Sequence, residues 1–210
     1  MRRLPIFLLC ILLTLSGLAW ERARFLAAAA KLSQSTQRLA QALVESIERS
    51  GSLDPAQKVR SVNDFVNGRL EWTDDQTVWG MVDYWASPLE TLDKGRGDCE
   101  DLAMAKYFML LAEGVPESSL RMVYVRAQLD GRPQAHMVLA WYPTPQSEPW
   151  ILDNLDPVLK KASDRPDLAP VFSFNAEGLW QGVGATTAGN PLARLSVWRD
   201  ALARAREQGF

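Results

Sequence analysis

The sequence predicts an α+β protein, a helical amino-terminal part packed on an antiparallel sheet. Three observations point there. Residues 20–70 carry apolar side chains at helical spacing, a further helical run begins at Cys99, and beyond Val115 the pattern changes to short strand-like runs broken by Gly, Pro and Asp. The 210 residues suffice to bury a core without disulfides or a structural metal. A composition of 47% hydrophobic and 23% charged residues excludes a wholly disordered chain.

The first segment reads as a secretory signal peptide rather than part of the fold. Arg2 and Arg3 precede an apolar run over residues 4–15, and Gly17 and Ala19 supply small residues at positions −3 and −1 of a cleavage site. The run falls short of the roughly 20 residues of a spanning helix, so no membrane span is expected after cleavage. Leu9 before Cys10 excludes a lipoprotein signal. Cleavage after Ala19 removes two of the 23 basic residues and none of the 25 acidic ones, which moves the net charge from −2 to −4. No basic surface is implied, which argues against a nucleic-acid partner.

Residues 20–210 then read as one domain. Phe25, Leu32, Leu39, Leu43 and Ile47 mark one or two helices over about 20–50. Asp54 and Pro55 form an N-cap and first-turn pair for the next, whose buried face is Val59, Val62, Phe65, Val66 and Leu70. Residues 71–84, with Trp72, Trp79, Asp74, Asp75 and Gly80, read as an extended connection. Ser87, Pro88 and Glu90 make a capping box for a short helix that stops near Gly95, and Asp98 caps another from Cys99 to a stop at Gly114. Strands follow at 122–129, 134–142 and 150–153 as an antiparallel meander, which closes a core region of about 71–160. Residues 161–190 read as loop, and 192–207 as an amphipathic helix.

Signal cleavage leaves Cys99 as the only cysteine of a mature chain destined for a disulfide-forming compartment. Such a thiol is either buried and inert or the working nucleophile. A first-turn position favours the thiolate through the helix dipole, whereas Asp98, Glu100 and Asp101 oppose it, so a neutralising cation is expected nearby. His136 is the only histidine, hence the only possible imidazole base. Alternation places His136, Val138 and Ala140 on one strand face and Met137, Leu139 and Trp141 on the other. Asp153 ends an adjacent strand, where it suits either an orienting acid or a strand-terminating turn residue beside Asn154. Trp72 or Trp79 offers an indole N–H for an oxyanion hole beside the Cys99 N–H, although large aromatics are usually core.

A thiol at a helix start followed by His and Asp on consecutive strands resembles the papain-like arrangement of the transglutaminase-like superfamily. The segment Gly95, Arg96, Gly97, Asp98, Cys99, Glu100, Asp101, then Ala135, His136, Met137, Val138, and then Leu152, Asp153, Asn154, more closely resembles the bacterial transglutaminase-like cysteine proteinases. That resemblance implies a periplasmic, calcium-dependent endopeptidase with Cys99, His136 and Asp153 as its triad and Asp98, Glu100 and Asp101 as calcium ligands. It implies a protein substrate, the amino-terminal region of a large cell-surface adhesin cut at paired alanines, whose release disperses biofilm. It also implies a partner, the periplasmic domain of an inner-membrane cyclic di-GMP receptor that sequesters the protease. Hard oxygen ligands suit calcium, in agreement with the cation that the acids around Cys99 call for. The residues alone leave two other functions open: a transglutaminase-like acyltransferase, in which an amine takes the acyl group, and a non-catalytic binding module with a buried Cys99.

Overall fold

The computed structural model of the chain describes residues 20–210; the expected signal peptide lies outside them. Helix α1 (Arg22–Ala29) packs against α2 (Gln34–Arg49), which Ser33 caps by accepting the Thr36 N–H. Helix α3 (Pro55–Asn67) starts with the expected Asp54 cap, completed to a capping box by Gln57. Residues 71–84 differ from the extended connection read in the sequence. After the short strand β1 (Glu71–Trp72), Asp74 accepts the Thr77 N–H and nucleates a helical turn, α4 (Asp75–Trp79), closed by Gly80 in the left-handed region. The Ser87–Glu90 capping box forms on α5 (Pro88–Lys94). Strand β2 (Arg96–Gly97) pairs with β1 in parallel and delivers the chain to α6 (Cys99–Ala112).

Helix α6 is apolar around its whole circumference, and such a helix must be buried on all sides. Leu102, Met104, Tyr107, Phe108, Met109 and Leu110 are all buried, with β3 and β4 on one side and α3 and α5 on others. The sheet holds seven antiparallel strands in the order β6-β5-β4-β3-β7-β8-β9. They are β3 (Leu120–Leu129), β4 (Arg132–Trp141), β5 (Trp150–Leu152), β6 (Lys160–Lys161), β7 (Leu168–Phe174), β8 (Leu179–Gln181) and β9 (Thr187–Gly189). The expected meander is β3 to β5. The four further strands lie in the stretch read as loop, where Pro170 obscured β7. That proline is tolerated because β7 pairs with β8 only over Phe172–Phe174, which leaves Pro170 on an edge beside a bulge in the β3 pairing. The last helical region is two helices, α7 (Pro191–Arg194) and α8 (Ser196–Glu207). Trp198 of α8 packs edge-on against Tyr107 and Phe174, closing the core over α6. Among the described residues, no helix is long and apolar enough to cross a membrane.

A lysine lies inside this core. Lys106 of α6 is 1% exposed, and burial pushes its ammonium down to about 7, with Asp153 partly opposing the shift. A cation depressed in the folded state binds fewer protons than in the unfolded chain between that value and its ordinary value of about 10.4. Its cost to stability is full below pH 7 and fades as pH rises through that window. Lys106→Met should therefore lose this upward slope of stability with pH, as measured by urea unfolding of both proteins between pH 7 and 10.

Candidate active site

The chain reaches the start of α6 through two glycines with different tasks. Gly95 ends α5 at φ 67°, in the left-handed region that side chains disfavour. Gly97 passes so close to Asp101 that a Cβ there would lie 2.7 Å from both its Cβ and Oδ2. Asp98 then caps α6, its carboxylate accepting the Asp101 N–H at 3.4 Å, and Cys99 occupies the first helical position.

A cavity of about 460 Å³ opens over this turn. Asp98, Cys99 and Glu100 line it from α6, Ala135, His136 and Met137 from β4, and Trp72, Asp75, Val82 and Asp83 from the segment before α5. Cys99 is half-buried in its wall. Strand β5 pairs with β4 only as far as Leu139, so the β4 edge is free at Met137, whose backbone N–H favours the Cys99 thiolate. The thiol in turn donates to Glu100 Oε2 at 2.9 Å rather than to the imidazole. Two effects compete at this sulfur. Burial, followed by the Glu100 carboxylate, outweighs the helix end and the Met137 N–H, and the thiol is pushed far above its ordinary range.

His136 and Asp153 are brought together. His136 Nε2 lies 2.7 Å from Asp153 Oδ1, and both residues are buried. Burial alone would raise the Asp153 carboxyl, but hydrogen bonds from His136 and Arg165 overcome it and hold the group at about 2. An ionised carboxylate only accepts, so Nε2 carries the proton and Nδ1 is left as the basic nitrogen. Met137, Leu139 and Trp141 pack in the main core, while Val138 and Ala140 on the His136 face join Val123, Val125 and Ile151 in a smaller cluster. Of the two candidate indoles, Trp72 lines the cavity, whereas Trp79 packs against Tyr84 and Lys94.

The acids form a larger group than Asp98, Glu100 and Asp101. Asp75 and Asp83 join them: ligand oxygens of Asp75, Asp83 and Glu100, and of Asp75, Asp98 and Asp101, lie within 4.8 Å of one another. Burial first, and then neighbouring carboxylates, push Asp98 up to about 9, Asp101 to about 8 and Asp75 to about 6. Asp101 Oδ1 accepts the Ala86 N–H at 2.7 Å and Asp75 Oδ2 accepts the Tyr84 N–H at 2.5 Å, yet Asp101 Oδ2 and Asp75 Oδ1 are buried with no partner among the described residues. Crowded hard oxygens with orphaned lone pairs fit a divalent cation of the calcium type. Asp75 and Asp83 carry no spacing signal in the sequence. Only the turn that α4 introduces swings them toward α6.

A thiol at a helix start, in a cavity also lined by an imidazole that meets a carboxylate behind it on an antiparallel sheet, is an arrangement suited to a cysteine hydrolase or acyltransferase of the transglutaminase-like fold. The family model of the bacterial transglutaminase-like cysteine proteinases matches residues 34–167, and the chain belongs to that family. Solved structures of LapG from Legionella pneumophila are similar to it. An EGTA-treated form is 38% identical at a TM-score of 0.80, covering 90% of this chain and 100% of that one. A calcium-bound form is 39% identical at 0.75, covering 88% and 98%. Comparison with curated protein sequences finds no match.

Because the Gly97 Cα faces Asp101, Gly97→Ala should displace that side chain and break its bond to the Ala86 N–H. The expected loss is about 1–3 kcal/mol of stability, the cost of stranding a buried donor, read by chemical unfolding.

Proposed function

We propose that the chain is an exported, calcium-dependent cysteine endopeptidase in which Cys99 is the nucleophile, His136 its base and Asp153 the acid that orients the base. The observation that carries this reading is the His136–Asp153 pair at 2.7 Å, whose His136 lines the cavity that contains Cys99. Cys99 attacks a peptide carbonyl while His136 Nδ1 takes the thiol proton and later returns it to the departing amine. Water then hydrolyses the thioester. Asp153 stays ionised throughout and stabilises the imidazolium.

Asp98, Glu100 and Asp101, joined by Asp75 and Asp83, would hold calcium. Bound there, the ion supplies positive charge against which these carboxylates remain ionised together. Glu100 has a particular place in this reading, because it is both a ligand and the group to which the resting thiol donates. As a ligand, Glu100 would no longer be the acceptor that keeps the thiol protonated. The fold of the EGTA-treated relative supports an effect on activity rather than on folding.

The substrate and regulator follow from the resemblance of the motifs around Cys99, His136 and Asp153. We infer that the enzyme works in the periplasm, cleaves the amino-terminal region of a large surface adhesin, and thereby releases the adhesin and promotes biofilm dispersal. We further infer that the periplasmic domain of an inner-membrane cyclic di-GMP receptor sequesters it.

Cleavage of a purified adhesin amino-terminal fragment tests the enzyme. Cys99→Ala should abolish cutting with the fold intact, and cutting by that folded variant would remove the assignment. Excess chelator should silence the wild type, calcium should restore it, and magnesium should substitute poorly because it demands smaller octahedral coordination. Asp75→Asn should weaken calcium binding in calorimetry, roughly 10- to 100-fold, as should Asp98→Asn. Unchanged affinity in Asp75→Asn would confine the ligands to the α6 acids.

A further inference from the structure

Asp153 is held by more than the imidazole. Its Oδ1 accepts from His136 Nε2 at 2.7 Å, from the Asn154 N–H at 2.6 Å and from the Leu155 N–H at 3.1 Å. Its Oδ2 has one partner, Arg165 Nη2 at 2.8 Å. Arg165 is 4% exposed and follows a helical turn at Ala162–Asp164, just before β7. Its backbone is pinned, its N–H bonded to the Ala162 carbonyl and its carbonyl to the Leu168 N–H. Its guanidinium is fixed in plane by Asp167, with Nε 3.0 Å from Oδ1 and Nη2 2.7 Å from Oδ2. The Asp167 carbonyl accepts the Gln128 N–H, which ties this clamp to the end of β3.

We propose that Arg165 is a positioning residue for the His136–Asp153 pair, a role that rests on the reading of His136 as the base. A carboxylate held on one oxygen can still rotate about its Cβ–Cγ bond. With Oδ2 anchored by Arg165, rotation would break a charged, buried hydrogen bond, so Oδ1 stays aimed at Nε2. The electrostatics are arranged to spare the pair. An arginine facing Asp153 alone would cancel the charge that stabilises an imidazolium, but Asp167 neutralises Arg165 from its other side. Asp153 is left with orientation from the guanidinium and with most of its own charge. A buried ion pair is weak evidence for stability, since desolvating two ions offsets much of their attraction. Positioning accounts for an arginine here better than folding does.

Because His136 is the only histidine of the chain, the untagged protein labelled with ¹⁵N-histidine gives the signals of one imidazole. In the wild type these should show a protonated Nε2 with a slowly exchanging, downfield proton. In Arg165→Met that proton should exchange faster and the tautomers should mix. On a peptide cut by the wild type, kcat should fall roughly 10- to 100-fold, the range for losing an orienting partner, with KM within about twofold. Arg165→Lys should recover part of both, because it keeps the charge and loses the fork. Unchanged imidazole signals and unchanged kcat in folded Arg165→Met would make Arg165 a structural strut and overturn the proposal. Should that variant fail to fold, Arg165→Lys and Asp167→Asn carry the same readouts, and wild-type signals and kcat in both would overturn it. The imidazole signals decide the hold of Arg165 on the pair whether or not any peptide is cut, so a failure of the peptidase reading is told apart from a failure of this one.

Discussion

The first turn of α6 gathers carboxylates where burial strips water from Asp75, Asp98 and Asp101. Asp98, Glu100 and Asp101 come from the helix itself, and Asp75 and Asp83 close in from the segment before α5. A helix N-terminus attracts such groups, but its favour amounts to only about 0.3–1 kcal/mol per charge at an exposed end. Mutual repulsion and lost hydration outweigh it, and three of the five acids rise well above the carboxylate range. The polypeptide does supply individual partners: the Ala86 and Tyr84 N–H groups each satisfy one oxygen. Carboxylates dominate the group, and the thiol of Cys99 meets the imbalance through Glu100. In the proposed reading, positive charge brought from outside the chain completes the arrangement, and the reactivity of Cys99 is conditional on that charge.

Behind His136 on the sheet, the same residue type behaves in the opposite sense. Asp153 is as buried as Asp101, yet it is held at about 2 while Asp101 is pushed to about 8. Partners alone account for the contrast. Asp153 receives four donors, one from a guanidinium and one from the imidazole, and Lys106 adds a further positive field from within α6. The protein therefore maintains two charge systems around one cavity, one self-sufficient and permanently ionised, the other in deficit. Environments that push like groups apart in this way are how a fold assigns different tasks to carboxylates.

Much of this was legible in the sequence, and the exceptions share a cause. Asp54, Ser87 and Asp98 announce their helices because capping is local chemistry, decided within four residues. Cys99 and His136 stand out by being alone of their kind, and Asp153 by ending an apolar run. Strand β7 was hidden because a proline in a strand is acceptable only at an edge, and edges are a property of the assembled sheet. Asp75, Asp83 and Arg165 were missed for the same reason. Each reaches its cluster through a turn or clamp set by tertiary packing, and an acid or an arginine in a polar stretch carries no mark of that in its neighbours.

Asp153 suited two roles in the sequence, strand terminator or partner of the imidazole, and the structure joins both sets of contacts on one atom. Oδ1 accepts the Asn154 and Leu155 N–H groups, which bends the chain away from the sheet, and the same oxygen meets His136 Nε2. The end of β5 has a consequence on the neighbouring strand. Two more residues of pairing would reach Met137, whose backbone N–H favours the Cys99 thiolate. Terminating β5 at Leu152 leaves that edge of β4 open, and the open edge is where α6 presents its first residue. The turn that aims the carboxylate and the gap that admits the thiol are thus one feature of the backbone. A chain that lost the Asp153 side chain would lose the partner of its imidazole and, with it, the bonds that keep β5 short.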